Sequence, residues 1–235
     1  VGENMEKNEK KELWQFFFNY PKKKYNIYME KLTEYPDYIM YDEELIDKNK
    51  GKWKDYFKND NPIYLEIGCG SGNFTANNAE KFLDRNYLAL ELRFKRLVMA
   101  ATKSKKRGLP NLLFLRKRGE KLLEFLSENE ISGLYINFPD PWTGSEHKRL
   151  ISKELFQKLD VVMKSGGKFF FKTDHEGYYS DVLELLNELD GYDVVFHTDD
   201  LYNTEKIHEN IQTEFEQMFL SKHNMNIKYI EVIKK

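Results

Sequence analysis

Ile63-Tyr-Leu-Glu-Ile-Gly-Cys-Gly-Ser-Gly72, followed by Asn73 and Phe74, decides the fold. Ile63 to Ile67 is a short apolar run rich in β-branched and aromatic residues, and it reads as a buried strand. Its one charge, Glu66, stands just before the chain must turn. Gly68, Gly70 and Gly72 then alternate, which lets the backbone turn tightly and approach a ligand with no Cβ between them. A helix opening near Asn73 points its N-terminal amides into the same space.

Two ligand classes suit such a loop. A dinucleotide needs G-x-G-x-x-G. Counted from Gly68, the third glycine falls on Asn73; counted from Gly70, it falls on Thr75. The pattern fails in both registers. The order acid-x-G-x-G-x-G instead resembles the S-adenosylmethionine loop of class I methyltransferases, where Glu66 meets the cationic end of the cofactor and would repel a pyrophosphate. Taken alone, the stretch also fits an ordinary glycine-rich strand-to-helix turn. Glu91 closes a second apolar run, Asn86–Leu92, and is placed either to accept hydrogen bonds from both ribose hydroxyls or simply to face solvent.

The 235 residues suit one domain with an N-terminal extension. Hydrophobic residues at 40% supply a core, and 32% charged residues supply the surface. The net charge of -2 confines any nucleic-acid contact to local patches. The single cysteine, Cys69, excludes an internal disulfide and leaves no Cys/His cluster with zinc spacing, so no metal is expected. Residues 1–12 are polar, without an apolar signal segment, and no run approaches a membrane span. The expectation is a cytoplasmic protein, a monomer or homodimer.

Between Trp14 and Tyr28, six Phe and Tyr residues interleave with Lys22, Lys23 and Lys24. This suits either an RNA backbone and its bases or packing of the extension onto the domain. A short helix is expected at Lys52–Phe57, then a turn at Asn59–Pro62. From Ile63, strands and helices alternate: a helix after Gly72, a helix from Phe94 to about Lys106 ended by Gly108, a strand at Leu112–Leu115, a helix at Lys121–Ser127 and a strand at Gly133–Phe138. The basic residues of the Phe94 helix favour its C-terminus electrostatically, and this is preferred to RNA contact. Ser152 caps a helix carrying Leu155, Phe156, Leu159, Val162 and Met163, which Gly166-Gly167 is expected to end before a strand at Lys168–Lys172. After a further helix, Tyr192–His197 and Ile227–Ile233 read as a final antiparallel pair. Alternating units of this kind predict an α/β fold of the class I methyltransferase (Rossmann-like) type, with a seven-stranded, mostly parallel sheet and helices on both faces.

Asn137-Phe-Pro-Asp-Pro-Trp142 directly follows the fourth expected strand. Ligands of open α/β sheets bind outside the carboxyl ends of the strands, so Asp140 belongs on the same edge as Glu66 and Glu91. Two prolines stiffen the segment around it. Thr173-Asp174 reaches the same edge. Thr213-Glu-Phe-Glu216 opens a helix and is also, in isolation, a capping box. With Lys172-Thr-Asp174 and the glycine loop, these segments resemble the bacterial tRNA (guanine-N7-)-methyltransferases over residues 50–235. The resemblance implies S-adenosylmethionine as cofactor, tRNA as partner and a variable-loop guanine as target. It implies that Glu66, Gly68, Gly70, Gly72, Glu91 and Asn137 bind cofactor, that Asp140 serves cofactor and catalysis, and that Asp174, Thr213 and Glu216 serve the guanine. It divides the chain into an extension, 1–50, partly disordered and suited to RNA contact, and a methyltransferase domain, 51–235.

Two departures stand out. The family's third strand usually ends in Asp-Ala at the adenine of the cofactor, where this chain has Arg118-Gly119, with Glu120 beyond. The basic loop after the Trp is reduced to His147, Lys148 and Arg149, so Lys148 and Arg149 are the expected RNA contacts there. Guanine N7 carries a lone pair and no proton, so no general base is required; alignment and stabilisation of the positive charge on the product ring suffice. The alternatives are a class I methyltransferase for another RNA site or a small molecule, and a non-catalytic tRNA-binding module.

Overall fold

The computed structural model describes residues 26–222 and 226–235; the expected contacts of Lys22, Lys23 and Lys24 lie outside them. The chain runs α1 (Ile27–Lys31), β1 (Ile39–Met40), α2 (Glu43–Lys48), α3 (Trp53–Phe57), β2 (Ile63–Ile67), α4 (Asn73–Lys81), β3 (Asn86–Leu90) and α5 (Phe94–Arg107). It continues with β4 (Leu112–Leu115), α6 (Leu122–Phe125), β5 (Ile131–Asn137), α7 (Lys153–Val162), β6 (Met163–Thr173), α8 (Glu176–Asn187), β7 (Tyr192–Thr198), α9 (Glu214–Lys222) and β8 (Lys228–Lys234).

These strands form an eight-stranded sheet in the order β1-β4-β3-β2-β5-β6-β8-β7 among the described residues. All pairings are parallel except β6 with β8 and β7 with β8. Strand β8 follows β7 in the chain yet lies inside it. The sheet has one strand more than the alternation predicts, because Ile39 and Met40 pair with Phe114 and Leu115. Strand β1, with α1 and α2, therefore stands on the N-terminal side of residue 50 and still belongs to the sheet and its packing.

The two faces of the sheet differ in kind. One is aliphatic and aromatic: Leu65 and Ile67 of β2, Leu134 and Ile136 of β5, Phe169 and Phe171 of β6 and Ile230 and Val232 of β8 meet α6, α7 and α8. Trp53 is fully buried on this side and donates from Nε1 to the Phe125 carbonyl at 2.9 Å. The other face carries α4 and α5, held by Phe74, Ala76, Ala79, Leu97 and Ala101 against Tyr87, Ala89 and Phe114. Between α4 and the β6–β8 pair this second face presents Tyr64, Glu66, Tyr135, Lys168, Phe170, Lys172, Tyr229 and Glu231, a polar and aromatic group fixed by strict alternation along the strands.

The expected cap and stop signals act mostly as read. Ser152 Oγ accepts from Leu155 N, and Gly108 ends α5 in a left-handed conformation. Gly166-Gly167 does not end a helix. Helix α7 stops at Val162, and the glycines lie inside β6, where the register with β5 slips between Ile131 and Gly133. They serve an irregularity in a long strand, a role glycine fills as readily as a helix stop.

Candidate active site at the carboxyl edge of the sheet

The glycine loop has the conformation its sequence demands. Gly68, Gly70 and Gly72 have φ of 79°, 58° and 76°, left-handed values that L side chains rarely adopt. Gly68 and Cys69 both donate to the Leu90 carbonyl at 3.0 Å, pinning the loop to the end of β3. A Cβ on Gly72 would stand 2.6 Å from Ala100 Cβ, whereas one on Gly68 would meet nothing within 4 Å. The loop is thus packed on its inner side and open at Gly68.

Glu66 is buried beneath this loop. Thr75 of α4 donates to its Oε2, and Asn137 Nδ2 donates to its Oε1 at 3.0 Å. Burial pushes the carboxyl up to about 7, against those hydrogen bonds and the nearby Lys172 ammonium. Asn137 Oδ1 is itself buried and lacks a hydrogen-bond donor among the described residues. A buried acid with a neighbouring orphaned acceptor fits a cationic donor such as the amino group of S-adenosylmethionine. Glu91 is fixed by its own turn: Oε1 accepts from Leu92 N at 2.8 Å and Arg93 N at 2.9 Å, leaving Oε2 without a partner among the described residues. Gly119 is buried, and a Cβ there would lie 2.6 Å from Ile67 Cγ2, so the Arg118–Glu120 turn rests against the end of β2. Arg118 and Glu120 are exposed beside it.

The Asn137–Trp142 segment is held in an unusual backbone. Phe138 and Trp142 have φ of 49° and 46° on either side of the Pro-Asp-Pro core. Such values in bulky residues cost on the order of 1–3 kcal/mol each and persist only where the surroundings enforce them. Here Phe138 N donates to the Lys172 carbonyl at 2.8 Å, and the Phe138 ring packs 4.7 Å from Phe215. Arg149 Nε donates to the Pro141 carbonyl at 2.7 Å, while its guanidinium pairs with Asp181 and lies 4.6 Å over Tyr178. Thr143 Oγ1 and His175 Nε2 are 3.2 Å apart; His175 Nδ1 accepts from Tyr178 N, so the Nε2 proton of the neutral ring donates to the threonine. Asp140 and Asp174 have no hydrogen-bond or ion-pair partner among the described residues. Lys148 is exposed, 5.3 Å over the Trp142 ring.

Helix α9 begins with a reciprocal capping box. Glu216 N donates to Thr213 Oγ1 at 3.0 Å, and Thr213 N donates to Glu216 Oε2 at 2.7 Å. Glu216 is completely buried and also accepts from Lys172 Nζ at 2.9 Å, Asn210 Nδ2 at 3.0 Å and Tyr202 Oη at 3.2 Å. Lys172 completes its own coordination with Asn210 Oδ1 at 2.7 Å and the Ile211 carbonyl at 2.9 Å. The next residue, Glu214, accepts from Ser71 of the glycine loop and pairs with Lys103 of α5 at 3.7 Å. The α9 segment is therefore tied directly to the candidate cofactor loop. Among the described residues, no group of three or more His, Cys, Asp or Glu is arranged to hold a metal ion.

Residues 60–229 match the model of a family described as putative methyltransferases. The tRNA (guanine-N(7)-)-methyltransferase of Latilactobacillus sakei subsp. sakei (strain 23K) is 36% identical over 80% of this chain and 87% of its own length. That of Cytophaga hutchinsonii is 39% identical over 77% of this chain and 84% of its own length. The chain belongs to the tRNA (guanine-N7-)-methyltransferase family. A bifunctional glycosyltransferase/methyltransferase of Fusobacterium nucleatum subsp. nucleatum is 57% identical over 97% of this chain, which spans only 36% of that relative's length. Among solved structures, the 16S rRNA (adenine(1408)-N(1))-methyltransferase of Catenulisporales acidiphilia aligns with a TM-score of 0.57 at 14% identity, over 78% of this chain and 90% of that one. An antibiotic-related methyltransferase aligns with a TM-score of 0.60 at 14% identity, over 79% and 94% of the two chains. At these identities the likeness is one of fold, and the fold is that of the class I, S-adenosylmethionine-dependent methyltransferases.

For a tRNA (guanine-N7-)-methyltransferase fold, the site residues read from the sequence separate into two groups. Glu66, Asn137, the three glycines, Glu91 and the Arg118–Glu120 turn gather at the carboxyl ends of β2, β3, β4 and β5, with Asp140 and Asp174 unpartnered after β5 and β6. Thr213 and Glu216 are brought to the same edge but spend their hydrogen bonds on one another and on Lys172. Arg149 is committed to Pro141 and Asp181, leaving Lys148 as the exposed cation of that pair. Thr75, Lys172, Tyr202, Asn210 and the Ser71–Glu214 contact were not read from the sequence. They come from segments far apart in the chain, and only the Lys172-Thr-Asp174 triplet hinted at one of them.

Proposed function

We propose that this chain transfers a methyl group from S-adenosylmethionine to N7 of a guanine in the tRNA variable loop, acting in the cytoplasm as a monomer or homodimer. Family membership together with the two unpartnered carboxylates, Asp140 and Asp174, at the same sheet edge as the hydrogen-bonded Glu66–Asn137 pair is the observation that carries this reading. S-adenosylmethionine supplies a methyl carbon on a sulfonium that departs as a neutral thioether. Glu66 and Asn137 hold the cationic end of the cofactor, and Glu91 Oε2 receives its ribose. The Arg118–Glu120 turn serves the adenine through backbone groups or Glu120.

Asp140 and Asp174 orient the guanine. The N7 lone pair forms the new N–C bond as the C–S bond breaks, and the ring gains the positive charge the sulfonium loses. Carboxylates held against that ring stabilise the developing charge. No proton moves in the step, so neither Lys172, held by Glu216, nor His175, held by Tyr178 N and Thr143, is needed as a base. Lys148 and the residues before position 26 supply RNA contact.

The test is methyl transfer from labelled cofactor to unmodified tRNA, followed by nucleoside analysis. Label recovered as 7-methylguanosine from the variable loop supports the proposal. Label at another base, or transfer only to small molecules, replaces the substrate assignment. Cofactor and tRNA binding without transfer favours a binding module.

A further inference from the structure

The sheet face beside α4 holds a cavity of about 460 Å³, within the range of small-ligand pockets. It runs along the strands: Lys172, Asn210 and Ile211 line the end that meets the carboxyl edge, and Lys81 and Arg85 line the opposite end, where α4 stops and β3 begins. Its floor is aromatic. Tyr135 stacks on Phe170 with centroids 4.5 Å apart and planes 10° from parallel, and Tyr64 continues the row 6.0 Å away. Gly133 makes that floor possible, because a Cβ there would stand 2.5 Å from the Tyr64 ring.

The charge around the floor is unbalanced. Five cations, Lys81, Arg85, Lys168, Lys172 and Lys206, line the cavity against two carboxylates, Glu209 and Glu231. Lys168 and Lys206 share Glu231 at 2.8 and 2.9 Å, and Lys172 is held by Glu216. Lys81 and Arg85 have no carboxylate within ion-pair distance among the described residues. They rest on rings instead: the Arg85 guanidinium is 4.1 Å from the Phe82 centroid and 5.0 Å from Tyr64, and Lys81 Nζ is 5.3 Å from Phe82. A face that needed only a cover would carry uncharged apolar side chains, as the opposite face does. Unmatched Arg and Lys beside an aromatic row suit a ligand with a phosphate and a planar base.

We propose that this cavity is a second binding site, for a nucleotide whose phosphate engages Lys81 and Arg85 and whose base packs on the Tyr64–Tyr135–Phe170 row. The nucleotide is either free in solution or part of the RNA substrate; only the second source rests on the tRNA reading above.

Lys81→Gln changes an exposed side chain, and Lys81→Gln/Arg85→Gln removes both unpaired cations. GMP and AMP binding are measured by calorimetry, and unmodified tRNA binding across a salt series, with S-adenosylmethionine affinity as the control. If the ligand is free, wild type binds a mononucleotide and the double variant loses about ten-fold or more in affinity, as expected for lost charge-assisted contacts. If the ligand is part of tRNA, mononucleotides do not bind, while tRNA binding weakens and its salt slope falls by about one per lysine or arginine removed. Cofactor affinity is unchanged in either case. Wild-type tRNA affinity and slope in both variants, with no mononucleotide binding by wild type, overturn the proposal. Should the double variant fail to fold, Lys81→Gln alone decides. Failure of wild type to methylate tRNA would remove the functional proposal and leave the mononucleotide result standing.

Discussion

Glu216→Ala separates two roles that the site allows for this side chain. The carboxylate accepts four hydrogen bonds, from Lys172 Nζ, Thr213 N, Asn210 Nδ2 and Tyr202 Oη, and is fully buried. Its removal strands a buried ammonium and opens the capping box. Breaking a buried ion pair from one side costs about 3–5 kcal/mol, a figure that already contains the stranded charge. For a chain of this size each kcal/mol moves Tm by about 2–4 °C, so the melting temperature should fall by about 6–20 °C. Burial already holds the Lys172 ammonium below its ordinary range, and Glu216 opposes that shift. Without Glu216 the folded-state value drops further, so the unfolded chain binds more protons than the folded one. Stability of the variant therefore rises with pH, and its deficit against wild type narrows between neutral and alkaline pH. Glu216→Leu/Lys172→Met, which removes both charges, should recover much of the loss. Thermal denaturation of the cofactor-free proteins measures all of this, with tRNA methylation assayed well below the melting range. A Glu216→Ala protein that melts within about 2 °C of wild type, binds cofactor normally and has lost methylation would refute this account. The carboxylate would then act on the guanine itself, as the resemblance implied.

Three further outcomes are expected. Asp140→Asn keeps shape but removes an unpartnered charge, and single-turnover methylation at saturating cofactor should slow on the order of a hundred-fold; a wild-type rate would dismiss Asp140 from the chemistry. Glu91→Ala should weaken S-adenosylmethionine binding about ten- to a hundred-fold, the scale of losing 1.5–3 kcal/mol of charge-assisted hydrogen bonds, and unchanged calorimetric affinity would reassign the ribose. Burial raises Glu66 to about 7, so below that pH the folded protein binds a proton that the unfolded chain releases. Stability should fall by roughly 3 kcal/mol as pH rises from the ordinary carboxylate range through about 7, and Glu66→Gln should flatten that slope; parallel melting curves against pH for the two proteins would count against it.

What the sequence disclosed follows from how local each signal is. The Glu66–Gly72 loop is local: alternating glycines dictate their own backbone, and all three adopt it. Strands β2 to β6 were legible because apolar runs alternate with capped helices. Strand β1 was not, since two residues, Ile39 and Met40, carry no periodicity and pair only because Phe114 and Leu115 offer an edge. Gly166-Gly167 misled because a glycine pair marks a helix end and a strand irregularity equally well. At the site, the partner of Arg149 was not legible, because a basic residue in a loop shows no partner in sequence and Asp181 lies 32 residues on. The Thr213–Glu216 capping box was written plainly in the sequence, whereas its extension through Lys172 needed the β6 register to be known.

The placement of β8 between β6 and β7 bears on how the chain is made. A ribosome delivers β7 before β8, so β7 leaves the exit tunnel with no strand to pair with. Until residues 228–234 follow, β6 is the exposed margin of an otherwise finished parallel sheet. An open margin of that length invites pairing with another nascent chain, and lysines on it discourage such contacts. Lys168 and Lys172 stand on β6 at that margin, and the arrival of β8 brings Glu231 onto Lys168. The same side chain thus stands as an exposed charge at the unfinished margin and as an ion-pair partner of the strand that completes it.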